Sequence, residues 1–353
     1  MKIFTVVGAR PQFIKAAVLS RALTKYRPDI EEVIVHTGQH YDANMSDVFF
    51  HQLNIPHPQH NLGIGGGRHG ENTGRMLEKL EALLLEERPD RLMVYGDTDS
   101  TLAGALAAAK LHIPVAHVEA GLRSFNRYMP EEINRVLTDH VADMLLAPTT
   151  TARDNLLHEG VDQAAIHMVG DVMYDAALYY RERATCPENL TETGIEPRTF
   201  ILCTIHRAEN TESPERMRSI LDGLEAGGKP VVLPLHPRTR AKLATMTLKM
   251  PRNVHVLDPV GYLEMTWLEA NSRLILTDSG GVQKEAYFHG KRCVTLRDET
   301  EWVELVESGC NTLVGSDAAR IAEAINAPAD IHVPDGLYGD GETARRILAV
   351  LAP

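Results

Sequence analysis

The 353-residue sequence contains few cysteines, few aromatic residues and no long apolar segment. Its four cysteines, Cys186, Cys203, Cys293 and Cys310, form no CxxC pair and lack the spacing of zinc ligands. This cysteine usage predicts a reducing, cytoplasmic compartment. The most apolar stretch, Leu102 to Ala109, is far shorter than the roughly 18 residues that span a bilayer. The composition therefore predicts a folded protein that does not enter a membrane.

The sequence also has no excess of positively charged residues. Lysine and arginine number 36 against 48 aspartates and glutamates, which gives a net charge of −12. This balance argues against a broad basic surface for nucleic acid, and it leaves room for a local basic pocket that holds a small anion. The first predicted strand is followed by neither the dehydrogenase glycine pattern nor a P-loop, so neither kind of nucleotide site is indicated.

Short β-branched runs alternate with helical patterns along the whole chain, which is typical of parallel sheets with crossover helices. The predicted strands are Ile3–Val7, Val33–His36, Leu92–Tyr95, Val115–Val118 and Met144–Ala147, followed by Phe200–Thr204, Val231–Leu235, Val254–Leu257, Leu274–Leu276 and Cys293–Thr295. The sequence thus predicts an α/β protein with two doubly wound parallel-sheet domains, residues 1–170 and 171–335. Residues 336–353 are expected to form a terminal helix that packs back on the first domain.

Ligands of open α/β sheets lie beyond the carboxyl ends of the strands, so two such domains predict an interdomain cleft. The segment GARPQFIK after the first strand places Arg10 and Lys15 at a helix start, where free N–H groups already favour an anion. Solvated helix-start cations explain the same residues equally well. The hinge is expected around Val169–Asp175, and Cys186 to Arg198 is predicted to be a loop.

Carboxylates follow later strands of the first domain. Asp97 lies in YGDTDST, which is consistent with a helix N-cap cluster or with a metal–diphosphate motif. Glu119 in HVEAGLR stands at a strand end and is a candidate catalytic acid. Glu131 lies in MPEEINR at a helix start, where the helix dipole alone also explains an acid.

The second domain shows a matching pattern. His206 and Arg207 come directly after its first strand, where His206 is a candidate general acid or base, and His236 ends the next strand. The segment TDSGGVQKE brings glycine-flanked N–H groups to a strand-to-helix turn, which suits a phosphate. Glu285 lies one helical turn further on, where a carboxylate can accept both hydroxyls of a ribose. A simple glycine-rich turn is the alternative interpretation.

Taken in order, these motifs resemble the non-hydrolysing UDP-N-acetylglucosamine (UDP-GlcNAc) 2-epimerases, which have a glycosyltransferase-B-like fold. The shared motifs are GARPQFIK, TGQHYD, YGDTDSTLAG, HVEAGLR, MPEEINR, VGDVMYDA, TIHRAEN, LTDSGGVQKEA and YGDGETARRI, and they cover nearly the whole chain. The resemblance implies two Rossmann-like domains, a homodimer, a cytoplasmic location, and no metal or nicotinamide cofactor. UDP-sugar is the implied ligand, and neither nucleic acid nor membrane is an expected partner.

The resemblance implies interconversion of UDP-GlcNAc and UDP-N-acetylmannosamine for surface polysaccharide precursors. UDP is eliminated to give a 2-acetamidoglucal and is then added back. The implied proton carriers are Asp97, Glu119 and Glu131, with His206 as a further acid–base group. The implied UDP contacts are Arg10, Lys15, His206, Arg207, His236, Ser279, Gly280 and Gly281, with Glu285 on the ribose.

Departures from the family pattern leave the substrate open. The chain has TEWVE where well-known members have TERPE, and it is similar to the branch that epimerises UDP-2,3-diacetamido-2,3-dideoxy-glucuronate. The extra carboxylate of that sugar calls for a cation or for amide donors, and Arg123, Arg127 and Arg135 are candidates for the cation.

A second open question is regulation by a further UDP-sugar. The candidate regulatory residues are Gln39, His40 and Arg68, and Asp42 stands where substrate-regulated members have glutamine. A UDP-sugar-dependent glycosyltransferase, a hydrolysing epimerase and a non-enzymatic UDP-sugar sensor are the competing functions.

Overall fold

The structure is a computed structural model that describes residues 1–38, 57–235, 237–246, 248–329 and 333–352. The chain forms two compact units, Met1–Ala176 together with Asp335–Pro353 (unit 1), and Ala177–Pro334 (unit 2). The sequence had suggested a boundary after residue 170. The division falls inside a helix, Val172–Arg181, that begins within the predicted hinge. The sequence pattern also predicts a helix that starts near Asn44, and that segment lies outside the described residues.

Strands and helices alternate through the first half of the chain. The elements are β1 Lys2–Val7, α1 Arg10–Tyr26, β2 Glu31–His36, β3 His60–Asn61, α2 His69–Glu87, β4 Arg91–Tyr95, α3 Asp99–Lys110, β5 Val115–Val118, α4 Pro130–Val141, β6 Met144–Ala147, α5 Thr150–His158, a 3-10 turn Gln163–Ala165, β7 Ile166–Met168 and α6 Val172–Arg181. The strands form one sheet in the order β3-β2-β1-β4-β5-β6-β7, and the paired strands are parallel.

The second half repeats this arrangement. Its elements are α7 Glu188–Thr191, β8 Ile201–Thr204, α8 Ala208–Thr211, α9 Pro214–Gly227, β9 Val231–Pro234, α10 Pro237–Thr245, β10 Val254–Leu257, α11 Tyr262–Asn271, β11 Leu274–Thr277, α12 Gly280–Phe288, β12 Cys293–Thr295, α13 Val303–Glu307, β13 Asn311–Leu313, α14 Ala318–Asn326 and α15 Thr343–Leu351. The parallel sheet of unit 2 has the order β10-β9-β8-β11-β12-β13. Both orders are of the Rossmann type, which confirms the predicted fold class.

Burial of both sheet faces explains why the strands are continuous apolar runs. Ile201 and Cys203 of β8 join one core cluster, whereas Leu202 of β8 and the preceding residue Phe200 join another. In unit 1, helix α3 packs closely on the sheet through Gly104, where a Cβ atom would lie 3.1 Å from Val94 Cγ1. Within the described residues, no helix is both long enough and apolar enough to cross a membrane.

The structure adds elements that the sequence pattern did not predict. The strands β3, β7 and β13 have two or three residues each, which is too short to show a period. Helix α7 lies within the segment predicted as a loop, and α14 was not predicted. Helix α15 belongs to unit 1 and contacts α1. The Asp175 carboxylate caps α15 by accepting hydrogen bonds from Thr343 N at 3.1 Å and Ala344 N at 2.8 Å.

We expect Gly121→Ala to destabilise unit 1 by roughly 3 kcal/mol, because it combines backbone strain with a steric clash. Gly121 has φ +84°, and a Cβ atom there would lie 2.3 Å from Ala152 O. The matched control is Gly160→Ala, which has φ +83° and no atom within 4 Å of the new Cβ. The control should cost only about 1 kcal/mol. Urea unfolding of both variants measures the difference, and equal losses would show that the clash relaxes.

Candidate functional site

Several of the candidate residues lie near one position in each sheet, the topological switch point. There the first strand of the sheet neighbours the fourth, namely β1 beside β4 and β8 beside β11. The crossover connections leave to opposite sides at this point, so the loops after the two central strands diverge and leave a crevice. The segments that begin at Gly8 and Gly96 follow β1 and β4, and those that begin at Ile205 and Asp278 follow β8 and β11.

In unit 1, the buried Gln12 side chain connects the loops that follow β1 and β4. Its Oε1 atom accepts hydrogen bonds from Gly8 N at 2.8 Å and Ala9 N at 2.9 Å. Its Nε2 atom donates to Tyr95 O at 2.7 Å and also reaches Thr98 and Thr101. Because Gln12 satisfies backbone groups of both loops, it determines where the helix start that carries Arg10 and Lys15 lies.

The Lys15 ammonium forms a buried ion pair with the Glu119 carboxylate. The pair lies above Gly96, where a Cβ atom would stand 3.5 Å from Lys15 Nζ. Glu119 has φ +74°, a left-handed conformation that costs a non-glycine residue about 1 kcal/mol or more. Strain of this kind is often found at functional sites, and Glu119 combines it with a buried ion pair. Positive φ values also occur at Arg88, His112, Phe125 and Arg198.

Asp97 is held by Arg135, which also donates to Glu132 Oε2 at 2.6 Å. The neighbouring acids of MPEEINR differ in environment. Glu132 is buried and accepts hydrogen bonds from Ser124 N at 2.9 Å and Phe125 N at 3.0 Å. Burial alone raises the pKa of Glu132, but these hydrogen bonds and the nearby Arg135 outweigh burial and hold the pKa below its usual value. Glu131 is exposed at the first turn of α4. Glu132 therefore has the structural role, and Glu131 is accessible to a ligand.

A buried charged network supports this end of the sheet. His117 donates from Nε2 to Gly96 O at 2.7 Å, and its Nδ1 lies 2.7 Å from Asp139 Oδ1. Asp139 also accepts from Arg123 Nη1 at 2.7 Å. Burial raises the pKa of Asp139, but the charges and hydrogen bonds of His117 and Arg123 outweigh it, so the pKa lies below its usual value. The network fixes the carbonyl of Gly96 beside the Lys15–Glu119 pair.

In unit 2, Asp278 connects the loops that follow β8 and β11. Its fully buried carboxylate accepts from His206 N at 3.1 Å, Arg207 N at 3.0 Å and Asn210 Nδ2 at 3.1 Å. The His206 side chain is half-exposed, with Nδ1 3.3 Å from Asp278 Oδ1. The Asp278 side chain thus positions the histidine and arginine that the sequence singled out.

The turn at Ser279–Gly281 begins helix α12, and the Ser279 side chain caps it. Glu301 occupies the space in front of this helix start, since a Cβ atom on Gly280 would lie 2.1 Å from Glu301 Oε1. Arg297 Nη1 donates to Glu301 Oε2 at 2.9 Å, and Trp302 Nε1 donates to Gly280 O at 2.8 Å. A protein carboxylate therefore lies at the positive end of this helix.

Glu285 lies on α12 and is partly buried. Burial and the neighbouring Glu269 carboxyl group raise the pKa of Glu285 well above its usual value. Arg10 lies at the start of α1, and burial lowers the pKa of its guanidinium. Arg68 is exposed at the start of α2.

Gln39, His40, Asp42 and His236 lie outside the described residues. The sequence interpretation missed the supporting roles of Gln12, Asp139, Asp278 and Glu301, and it considered Arg135 for the extra carboxylate of the sugar and not for Asp97. Each of them acts through partners that are distant along the chain, so no local spacing marks them.

Comparison with known proteins identifies the family. A sequence model of the family described as UDP-N-acetylglucosamine 2-epimerase matches residues 22–352. The chain belongs to this family. It is 55% identical to the UDP-2,3-diacetamido-2,3-dideoxy-D-glucuronate 2-epimerase of Pseudomonas aeruginosa, over 100% of this chain and 99% of the relative. It is 38% identical to the UDP-N-acetylglucosamine 2-epimerase of Escherichia coli, over 99% and 98% of the two chains.

A solved structure agrees with this family. The Methanocaldococcus jannaschii UDP-GlcNAc 2-epimerase, crystallised with UDP-GlcNAc and UDP, superposes with a TM-score of 0.87 at 45% identity over 99% of both chains. Family membership confirms the predicted resemblance. It also makes the chain a sugar-nucleotide epimerase, an isomerase, as the sequence predicted.

We expect Asp139→Asn to destabilise the protein by about 3 kcal/mol at pH 7, because Arg123 loses a buried counter-charge. The folded pKa of Asp139 lies below its ordinary value near 3.8, so its stabilising contribution is complete above about pH 5. It is lost as the pH falls through the folded pKa. The difference between the two proteins in urea unfolding should therefore shrink below pH 4.

The matched control is Asp154→Asn, which removes a half-exposed carboxylate that pairs with Arg153. This change should cost less than about 1 kcal/mol. An Asp139→Asn protein as stable as the unchanged protein would show that the buried network contributes little.

Proposed function

We propose that the protein epimerises C2 of a UDP-2-acetamido sugar by elimination and re-addition of UDP. The observation that carries the proposal is the pair of carboxylates beyond the ends of β4 and β5 in unit 1. Asp97 and Glu119 follow adjacent strands, and each is paired with a cation. C2 inversion needs one group that removes the proton and another that returns it on the opposite face, whereas transfer to an acceptor needs one carboxylate base.

In the proposed reaction, a carboxylate takes the C2 proton while the C1–oxygen bond to UDP breaks, and a 2-acetamidoglucal forms. A second acid then protonates C2 from the other face as UDP returns to C1. The candidate proton carriers are Asp97, Glu119 and Glu131, and His206 is the candidate that assists UDP at its departure and return. Because the C2 proton is a weak acid, stabilisation of the leaving diphosphate has to lower much of the barrier.

Unit 2 supplies the proposed UDP site. The N–H groups at Gly280 and Gly281, the Ser279 side chain and the dipole of α12 suit the diphosphate, whereas Ser279 N already donates to Thr277 Oγ1 at 2.9 Å. Arg207 adds positive charge, His236 is a further candidate contact, and Glu285 is the candidate for the ribose hydroxyls. Arg10 and Lys15 of unit 1 stay candidate diphosphate contacts from the family resemblance. Glu301 lies close to Gly280 at the same helix start, so its carboxylate is a negative charge near the proposed diphosphate position.

The two candidate substrates are favoured by different observations. The relative at 55% identity is named for UDP-2,3-diacetamido-2,3-dideoxy-D-glucuronate, and we place this substrate first. UDP-GlcNAc is second, because the family model and the superposed crystal structure carry its name. Of the arginines considered for the extra carboxylate, Arg123 already binds both oxygens of Glu159 and is buried. Arg127 is exposed, and Arg135 binds Asp97.

A homodimer also belongs to the proposal. Four exposed apolar side chains come from one stretch of unit 1, Phe125, Tyr128, Ile133 and Leu137. Ile133 and Leu137 are one helical turn apart on α4 and share a face. A concentration of exposed apolar groups is typical of a protein interface.

The four cysteines form no disulfide bond, which supports the cytoplasmic location that the sequence predicts.

Proton NMR in D₂O with each of the two UDP-sugars tests the reaction. Deuterium should enter C2, and the manno isomer should form without accumulation of free UDP. We expect Asp97→Asn and Glu119→Gln each to slow the exchange by ~10²–10⁴-fold. UDP affinity should be largely kept in Asp97→Asn.

The matched control is Glu78→Gln, an exposed acid on α2 that should leave exchange unchanged. If UDP binds but neither sugar exchanges its C2 proton, the epimerase proposal is wrong and a transferase or a sensor is favoured. Release of UDP with free sugar would instead indicate a hydrolysing enzyme.

Sedimentation analysis tests the dimer. We expect the double substitution Ile133→Glu and Leu137→Glu to give a monomer, because it places charges in the apolar interface. The control is Leu85→Glu, an exposed leucine on α2 that lies outside this stretch. If the double variant stays dimeric, the interface lies elsewhere.

A further inference from the structure

A fully buried histidine contacts the turn that carries Asp97. His117 lies on β5, and its side chain is 0% exposed. Its Nε2 atom lies 2.7 Å from the carbonyl oxygen of Gly96, the residue before Asp97. Its Nδ1 atom lies 2.7 Å from Asp139 Oδ1 on α4. Each ring nitrogen therefore has a polar partner at hydrogen-bonding distance.

Both of these partners can only accept a hydrogen bond. Gly96 O is a backbone carbonyl oxygen, which has no proton to donate. The second oxygen of Asp139, Oδ2, already accepts from Arg123 Nη1 at 2.7 Å and from Gly121 N at 3.1 Å. Burial raises the pKa of Asp139, but the charges and hydrogen bonds around it outweigh burial and leave the pKa below its usual value. Asp139 is therefore an ionised carboxylate at neutral pH and offers only acceptors.

Two acceptors require two donors on the ring. A neutral imidazole has one N–H group, whereas an imidazolium has two. A neutral His117 would turn a nitrogen lone pair toward either Gly96 O or Asp139 Oδ1, and an unsatisfied buried polar group is costly. In the sheet, His117 is paired with Val94 of β4 and Leu145 of β6, whose apolar side chains cannot supply the missing proton. The hydrogen-bond pattern thus indicates an imidazolium.

Charge balance in the surrounding network indicates the same state. The Arg123 and Asp139 side chains are fully buried, and Arg123 binds both oxygens of Glu159 at 2.7 Å. A charged His117 gives this network two positive and two negative groups, whereas a neutral one would leave one negative charge uncompensated in a buried place. The one further cation close to Glu159, His140, lies 3.8 Å away and is half-exposed, so water screens its charge.

The imidazolium holds a turn that touches the candidate proton carriers. Gly96 has φ +62°, and its N–H donates to the last carbonyl of β5 at 3.0 Å. Its own carbonyl accepts from the imidazolium, so the peptide groups on both sides of Gly96 are fixed. A Cβ atom on Gly96 would lie 3.5 Å from Lys15 Nζ and 4.0 Å from Glu119 Oε2. The turn therefore lies against the Lys15–Glu119 pair and leads directly into Asp97.

We propose that His117 is a positioning residue, a buried imidazolium whose two N–H groups hold the Gly96 turn so that Asp97 and Glu119 are correctly placed for proton transfer at C2. A charged donor forms a stronger hydrogen bond to a carbonyl than a neutral one does. The role of the turn in the reaction rests on the proposed function, whereas the charge state of His117 is independent of it.

Nitrogen-15 NMR of the histidine-labelled full chain at pH 7 reads the charge state. The chain has 16 histidines, and the His117 signals are those that disappear in His117→Gln. We expect both ring nitrogens of His117 to carry a bonded proton, because each faces an acceptor.

Asp139→Asn provides a second variant for this measurement. Arg123 and Gly121 N donate at the Oδ2 position, so the amide oxygen should stay there and the amide nitrogen should face His117 Nδ1. The amide then donates to Nδ1, and His117 should become neutral while it keeps its bond to Gly96 O. The signals that change in this way also identify His117 if His117→Gln does not fold.

C2 proton exchange in D₂O tests the positioning role. His117→Leu removes both donors, and we expect it to slow exchange about 10²-fold, as a misplacement near 1 Å does. In His117→Gln the amide can still donate to Gly96 O, so exchange should be partly restored. UDP affinity should be kept in both variants, since His117 is not a candidate UDP contact. Isothermal titration with UDP measures this affinity, and its stoichiometry gives the folded fraction by which the rates are corrected.

The matched control is His167→Gln, which replaces a histidine on the edge strand β7. Its exchange rate and UDP affinity should equal those of the unchanged protein.

The possible failures are distinguishable. If His117 of the unchanged protein has a ring nitrogen without a proton, the imidazolium is wrong and the inference is overturned. If His117→Leu exchanges C2 protons as fast as the unchanged protein, the positioning role is wrong. If the unchanged protein exchanges no C2 proton with either UDP-sugar, the proposed function fails, and the positioning role at C2 fails with it.

Discussion

Both sheets depend on one kind of constraint, a single buried polar side chain that joins the loops after the two central strands. Gln12 performs this role in unit 1 and Asp278 in unit 2. Loops at a switch point leave the sheet in opposite directions, so their backbone N–H and carbonyl groups cannot pair with each other as strands do. A side chain that satisfies these groups fixes the two loops together. The catalytic and anion-binding candidates are carried by these loops and the adjacent helix starts.

A second constraint is charge compensation across long sequence separations. Lys15 and Glu119 are paired, as are Arg135 and Asp97, and each pair joins different elements of unit 1. Opposite charges held together in a partly buried place are well ordered before a ligand arrives. A sugar or diphosphate that enters therefore exchanges contacts with existing partners. The same holds at the start of α12, where Glu301 lies at the positive end of the helix.

Much of the fold was predictable because apolar strand segments alternate with helical patterns along the chain. Val33–Val35 and Ile201–Cys203 are buried on both sheet faces, and such strands appear as apolar runs in the sequence. The short edge strands β3 and β13 gave no such signal. Asp97, Glu119, His206 and Ser279 were identified because each follows a strand, and the end of a strand is visible in the sequence pattern.

The sequence by itself determined the two parallel-sheet units, the order of the motifs and the family, because these depend on local pattern and residue identity. Only the tertiary structure decided which neighbour in the Glu131–Glu132 pair is buried, and that Glu119 takes a left-handed backbone conformation. It alone also joined Lys15 to Glu119 and Arg135 to Asp97, which lie on separate elements. Contacts of this kind depend on how helices and loops pack around a sheet, and packing joins residues whose spacing along the chain carries no signal.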